Sequence, residues 1–242
     1  PQSFGDTLNL AQLYHFTNRL KDAIQAYLHA CELQPNDFDS QLNLGVCYQQ
    51  TGDMGQAVER FQKAIDLDPH RPHAYVNLGV ALDAQEKYYA AVRAYKEALE
   101  RDNRQPLVLV NLARTYVNQD RLKLAHLALD EAIRIDPQLA AAHESLGYCL
   151  FREKEYEQAE RSYGTALAYD PELPRAYAGL GSIHMLRFIN DKTQTEARDR
   201  ALENWHRSLE LDPDQPRIRK LIAHYRPNVT NPEELLLDSR GR

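Results

Sequence analysis

Four asparagines, Asn9, Asn43, Asn77 and Asn111, follow one another at a constant interval, 43 − 9 being the same 34 residues as each later step. A primary amide carries two N–H donors and a carbonyl acceptor, so one Asn can hold both the C=O and the N–H of a passing peptide backbone. A row of them on one surface reads main chain rather than sequence. One residue earlier stand Leu8, Leu42, Val76 and Val110, and three residues later Val46 and Val80, aliphatic groups suited to a ligand's apolar side chains. Arg114, Tyr148, Phe151 and Arg152 follow on the same register; they are either an anchor for an acidic or aromatic ligand group or ordinary surface and packing residues.

No catalytic set can be assembled beside this row. His143-Glu144 opens like a zinc-protease helix, but Gly147 stands where the second histidine ligand belongs. Gly179-x-Gly181 lacks a third glycine and a preceding strand, which makes it helix packing rather than a phosphate loop. His70 and His73 flank a turn and read as solvated side chains. Cys31, Cys47 and Cys149 form no CxxC pair, and Cys47 and Cys149, both at position 10 of their repeats, read as small buried fillers. The expectation is a noncatalytic chain with no metal and no cofactor.

The bulk composition points the same way. With 29 Lys+Arg against 35 Asp+Glu, a formal net charge of -6 gives no electrostatic footprint for nucleic acid or for anionic membrane surfaces. No stretch approaches the roughly 18 apolar residues of a membrane span, and no basic-apolar leader opens the chain, so a soluble, cytoplasmic protein is expected. The chain starts at Pro1 without an initiator Met, which leaves room for a preceding signal or anchor. Asn228-Val229-Thr230 fits a glycosylation acceptor, with nothing else arguing for secretion.

The interval that spaces the asparagines runs through the whole chain. Pro35, Pro69, Pro137 and Pro171 keep it, as do Leu10, Leu44, Leu78, Leu112, Leu146 and Leu180. Counting each repeat so that the proline is position 32, position 8 is always small (Ala11, Gly45, Gly79, Ala113, Gly147, Gly181), and position 20 is alanine in five repeats. Positions 4, 7, 8 and 11 then share one face of a first helix, and 20, 24 and 27 one face of a second. A hairpin of two such helices cannot bury its apolar face alone, so neighbours must stack.

These residues resemble the tetratricopeptide repeat (TPR) family, with "YVNLGVAL" around Leu78 and "AIDLDP" and "AIRIDP" ending at Pro69 and Pro137 close to its consensus. The resemblance implies an all-α, right-handed superhelical solenoid of six helix-turn-helix repeats. Their bounds are 4–37, 38–71, 72–105, 106–139, 140–173 and 174–215, a capping helix over 216–226 closes a solenoid domain of 1–226, and a tail occupies 227–242. Asn103 replaces the third proline and is expected to loosen one turn. In register the sixth proline would fall at 205, and 213 − 205 places an eight-residue insertion near 187–196, expected as an extended inter-helix loop.

In that family the asparagine positions line a concave groove, and the row resembles that of the O-linked N-acetylglucosamine transferases, whose TPR superhelix holds extended peptides. Asn is also common at this position of the consensus, where it can satisfy local polar groups. Four amides on helices about 8–10 Å apart would span roughly nine residues of an extended chain. The row stops at Ser145 and Gly179. The dicarboxylate clamp of chaperone-binding members is not expected, because position 5 is aliphatic and the required lysines are missing. The expected function is a scaffold binding a protein or extended peptide. The alternatives are a substrate-recruiting part of a larger enzyme, such as a glycosyltransferase, or a self-associating scaffold that docks its Leu235 to Leu237 tail on a neighbour.

Overall fold

The computed structural model describes residues 3–226, and they contain thirteen α-helices and no strand. The helices in order are α1 Phe4–Phe16, α2 Leu20–Leu33, α3 Phe38–Gln50, α4 Met54–Leu67, α5 Pro72–Ala84, α6 Tyr88–Arg101 and α7 Pro106–Asn118. They continue as α8 Leu122–Ile135, α9 Ala140–Arg152, α10 Tyr156–Tyr169, α11 Pro174–Asn190, α12 Thr195–Leu211 and α13 Pro216–Tyr225. The described residues group into two compact units, one ending at Ser145 and one beginning at Leu146. The tail, with the acceptor triplet at Asn228 and the leucines Leu235 to Leu237, lies outside the described residues.

The links inside the first five hairpins are built the same way. Asn18, Gly52, Glu86, Asp120 and Lys154 all take a left-handed backbone, with φ of 57, 86, 59, 58 and 66°. The next residue's N–H then reaches back over the last turn: Arg19 to the Tyr14 carbonyl, Asp53 to Tyr48, Lys87 to Leu82, Arg121 to Tyr116 and Glu155 to Leu150, at 2.8–2.9 Å. This closure satisfies carbonyls that the helix end would otherwise leave open.

The links between hairpins depend on aspartate as much as on proline. Asp68, Asp102, Asp136, Asp170 and Asp212 each accept the backbone N–H two residues on, at 2.9–3.1 Å. With Asn103 in place of proline, α6 still ends at Arg101 as its counterparts end and the Asp102 carboxylate still accepts the Arg104 N–H, but the link makes only a bend at Asn103 where the links at 35–36, 69–70, 137–138 and 171–172 make a turn.

Within the first unit, α1 to α8 pair as hairpins, and α2 packs on α3, α4 on α5 and α6 on α7. The alanines at position 20 and the large groups at position 24, Tyr27, Phe61 and Tyr95, are 0–1 % exposed. An added Cβ at Gly45 or Gly79 would meet the ring of Phe61 or Tyr95 at 2.6 Å, so the small residue is what lets each aromatic lie flat against the first helix. Cys47 and Cys149 are fully buried, and burial pushes the Cys47 thiol up to about 11.

The second unit has the same chemistry. Tyr163 packs with Leu150, Ala159 and Ala176, and Trp205 with Met185, Ala201, Ile218 and Ile222. Helix α13 thus covers the α12 face with its two isoleucines and leaves Arg217, Arg219 and Lys220 exposed. The insertion is not an extended loop. Earlier first helices have 13 residues and second helices 14, whereas α11 and α12 have 17 each, and only residues 191–194 link them. Neither Gly nor Pro interrupts the stretch, so the helices propagate through it and Asp191 closes the short link by accepting from the Thr193 N–H and hydroxyl.

Candidate functional site

The four asparagines occupy position 6 of α1, α3, α5 and α7, all in the first unit. Asn9 is exposed and Asn43, Asn77 and Asn111 are partly exposed. None of their side-chain amides bonds to another described residue; the hydrogen bond at Asn111 uses its main-chain carbonyl, which accepts from the Thr115 hydroxyl at 3.0 Å. Their aliphatic neighbours Leu8, Leu42, Val46, Val76 and Val80 are partly exposed and flank the amides along the same helices.

Val110 departs from the expected aliphatic row. It is 4 % exposed, at the end of the buried run Val108, Leu109, Val110. Arg114 is exposed at position 9 of α7, while Tyr148, 39 % exposed, belongs to the second unit.

One charged group on this side was not singled out by the motif reading. Asp83, at position 12 of α5, is partly buried, and one carboxylate oxygen is inaccessible and lacks a hydrogen-bond partner. Burial raises its pKa, with the Thr115 hydroxyl and the Arg114 guanidinium acting in the opposite direction. The available signal was a lone carboxylate in the otherwise apolar "VNLGVALDA".

Of the other sequence candidates, His143 has a structural partner. The His143 ring N–H donates to the Pro137 carbonyl at 2.9 Å, and Gln41 does the same for Pro35 at 3.4 Å. His70 and His73 are exposed, and among the described residues no group of three His, Cys, Asp or Glu side chains is placed to hold a metal ion. No helix among them is long and apolar enough to cross a membrane.

Comparison with known proteins follows this architecture. No curated protein sequence matches the chain. The solved structure of PilF from Pseudomonas aeruginosa is similar at 20% identity and a TM-score of 0.72, over 91% of this chain and 97% of that one. The Cut9–Hcn1 hetero-tetramer of APC/C gives 16% identity and a TM-score of 0.77, over 94% of this chain and 44% of that one. YrrB, described as a TPR protein with an unusual peptide-binding site, gives 22% and 0.57, over 84% and 98%. Each likeness is one of fold. The model of the cilia and flagella-associated protein 70 C-terminal domain matches residues 6–168, and the chain belongs to that family of tetratricopeptide repeat domains.

Proposed function

We propose that this chain is a noncatalytic interaction scaffold that holds an extended segment of another protein along the first helices of its first unit. The observation that carries the reading is the register of four asparagine amides, all outside the core and all unengaged among the described residues. Within this unit α3 touches α5 and α5 touches α7, so a bound strand running along the row would cross these helices in turn. The amides would grip main chain, and Leu42, Val46, Val76 and Val80 would take the ligand's apolar side chains. The description of YrrB as having a peptide-binding site is in keeping with such a role for this fold.

Neutral hydrogen bonds net about 0.5–1.5 kcal/mol each, and ordering a flexible ligand offsets part of the sum, which places a lone peptide in the micromolar range. Asn77→Ala with Asn111→Ala removes up to four such bonds. Affinity for a peptide selected by display against the whole chain should fall by about 2 kcal/mol or more, ~30-fold, as read by calorimetry. Unchanged affinity in a double variant that melts like the parent would refute the asparagine row.

A further inference from the structure

Between α2, the linker 34–37 and α4 lies an open cleft with a volume of about 480 Å³. Leu28, Cys31, Pro35 and Leu67 give it an apolar wall, and Gln41 and Arg60 give it polar groups. Gln41 is 4 % exposed; its Nε2 donates to the Pro35 carbonyl, but its Oε1 is buried and accepts nothing. Arg60 has neither an ion pair nor a hydrogen bond among the described residues, and its Nε–H is buried and unmatched. The remaining charges at the rim are already engaged: Lys63 with Glu59 at 3.5 Å, Asp66 with the Gln62 amide at 3.1 Å and Glu32 with His29 at 3.3 Å.

One repeat on, the corresponding space between α4 and α6 is also open, at about 410 Å³, but there Tyr75 replaces Gln41 and Ala94 replaces Arg60, and the tyrosine hydroxyl has a partner. Arg101 stands where Leu67 stands one repeat earlier; its Nε donates to the Pro69 carbonyl at 2.5 Å and a terminal nitrogen to the Tyr75 hydroxyl at 2.8 Å, with the guanidinium 3.9 Å from the Tyr75 ring centroid. Leucine supplies none of this. A buried acceptor and a buried donor are therefore left open on the walls of one cleft, an arrangement that costs free energy until something satisfies both.

We propose that this cleft receives an acidic residue, Asp or Glu, from a partner protein. The carboxylate takes the free Arg60 guanidinium, the main-chain N–H of the same residue donates to Gln41 Oε1, and its methylenes lie against Leu28 and Leu67. A cationic residue would meet the unpaired Arg60 and leave its donor unmatched. This surface is independent of the asparagine row, being built from α2, the following linker, Gln41 and α4.

The test titrates N-acetylglutamate N-methylamide and its neutral isostere, N-acetylglutamine N-methylamide, into the isotopically labelled full chain, followed by amide chemical shifts. The glutamate compound should shift amides around Cys31 and Arg60 saturably and bind about tenfold more tightly than the glutamine compound. Arg60→Met should abolish the preference, and Asn77→Ala should leave it intact. Equal affinity for the two compounds, a preference that survives Arg60→Met or is lost in Asn77→Ala, or no shift at about 50 mM would each overturn the proposal. In the last case water alone meets the two open groups.

Discussion

The same substitution, glycine to alanine, should have opposite signs at two positions of the second unit. At Gly181, on α11, an added Cβ would lie 2.4 Å from Trp205 Cδ1, 2.5 Å from its Nε1 and 3.0 Å from the Ala201 carbonyl oxygen. The indole cannot swing away freely: it is 1 % exposed, and its N–H donates to the Ala178 carbonyl at 3.3 Å. Overpacking of this kind costs about 1–3 kcal/mol, the strained hydrogen bond adds about 1, and alanine's better helix propensity returns about 1, leaving a net loss of ~2 kcal/mol. At Gly164, exposed on α10, a Cβ meets nothing within 4 Å, so only the propensity gain of about 1 kcal/mol remains. Urea unfolding followed by fluorescence of Trp205, the single tryptophan, reads both variants. With a slope of about 2–3 kcal/mol per molar, Gly181→Ala should lower the midpoint by ~0.7–1 M and Gly164→Ala raise it by ~0.3–0.5 M. A Gly181→Ala midpoint at or above the parent's would refute the claim that close approach of helix and indole sets this position.

Further outcomes follow from the same geometry. Glu86 and Lys154 sit at left-handed φ without the freedom of glycine, so Glu86→Gly and Lys154→Gly should each stabilise by about 1 kcal/mol in thermal melts, while Gly52→Ala, at φ 86°, should lose a similar amount. The folded state binds the Asp83 proton more tightly than the unfolded chain, because burial raises its pKa. Its contribution to stability is therefore greatest in acid and falls as pH rises from about 3.9 through the raised value; Asp83→Asn should flatten that component of a urea-midpoint profile. Cys47, fully buried and pushed up to about 11, should resist an aromatic disulfide reagent at neutral pH until denaturant is added.

The hairpins were legible because their determinants are local and repeated. Small residues at position 8, alanine at position 20 and a large group at position 24 specify a packed pair wherever they recur, and the Asp that follows every second helix after α2 keeps its helix end in register even where Asn103 breaks the proline pattern. The insertion misled because Asn190 to Thr195 is polar, and polarity by itself reads as loop. Polar residues extend a helix as readily as they form a link when neither Gly nor Pro intervenes, and α12 begins at Thr195. Val110 misled because position 5 is open only where neighbouring helices leave it so. Asp83, Gln41 and Arg60 were invisible for a related reason: whether a polar atom has a partner is a property of assembled helices, not of spacing.

The absence of an asparagine from the sixth repeat has a steric cause that the sequence alone did not supply. Position 6 of α11 is Gly179, and a Cβ there would lie 2.4 Å from Tyr163 Cζ and 2.8 Å from its hydroxyl oxygen. Tyr163 is 2 % exposed and packs with Leu150, Ala159 and Ala176, so the ring has little room to yield. Asparagine at this site would have to displace that ring before its amide could reach solvent, at an overpacking cost of about 1–3 kcal/mol. A sixth rung thus cannot be gained by a single change at Gly179. Gly179→Asn should lower the urea midpoint and leave peptide affinity unchanged, whereas tighter binding by that variant would show that the space taken by Tyr163 is open to the ligand.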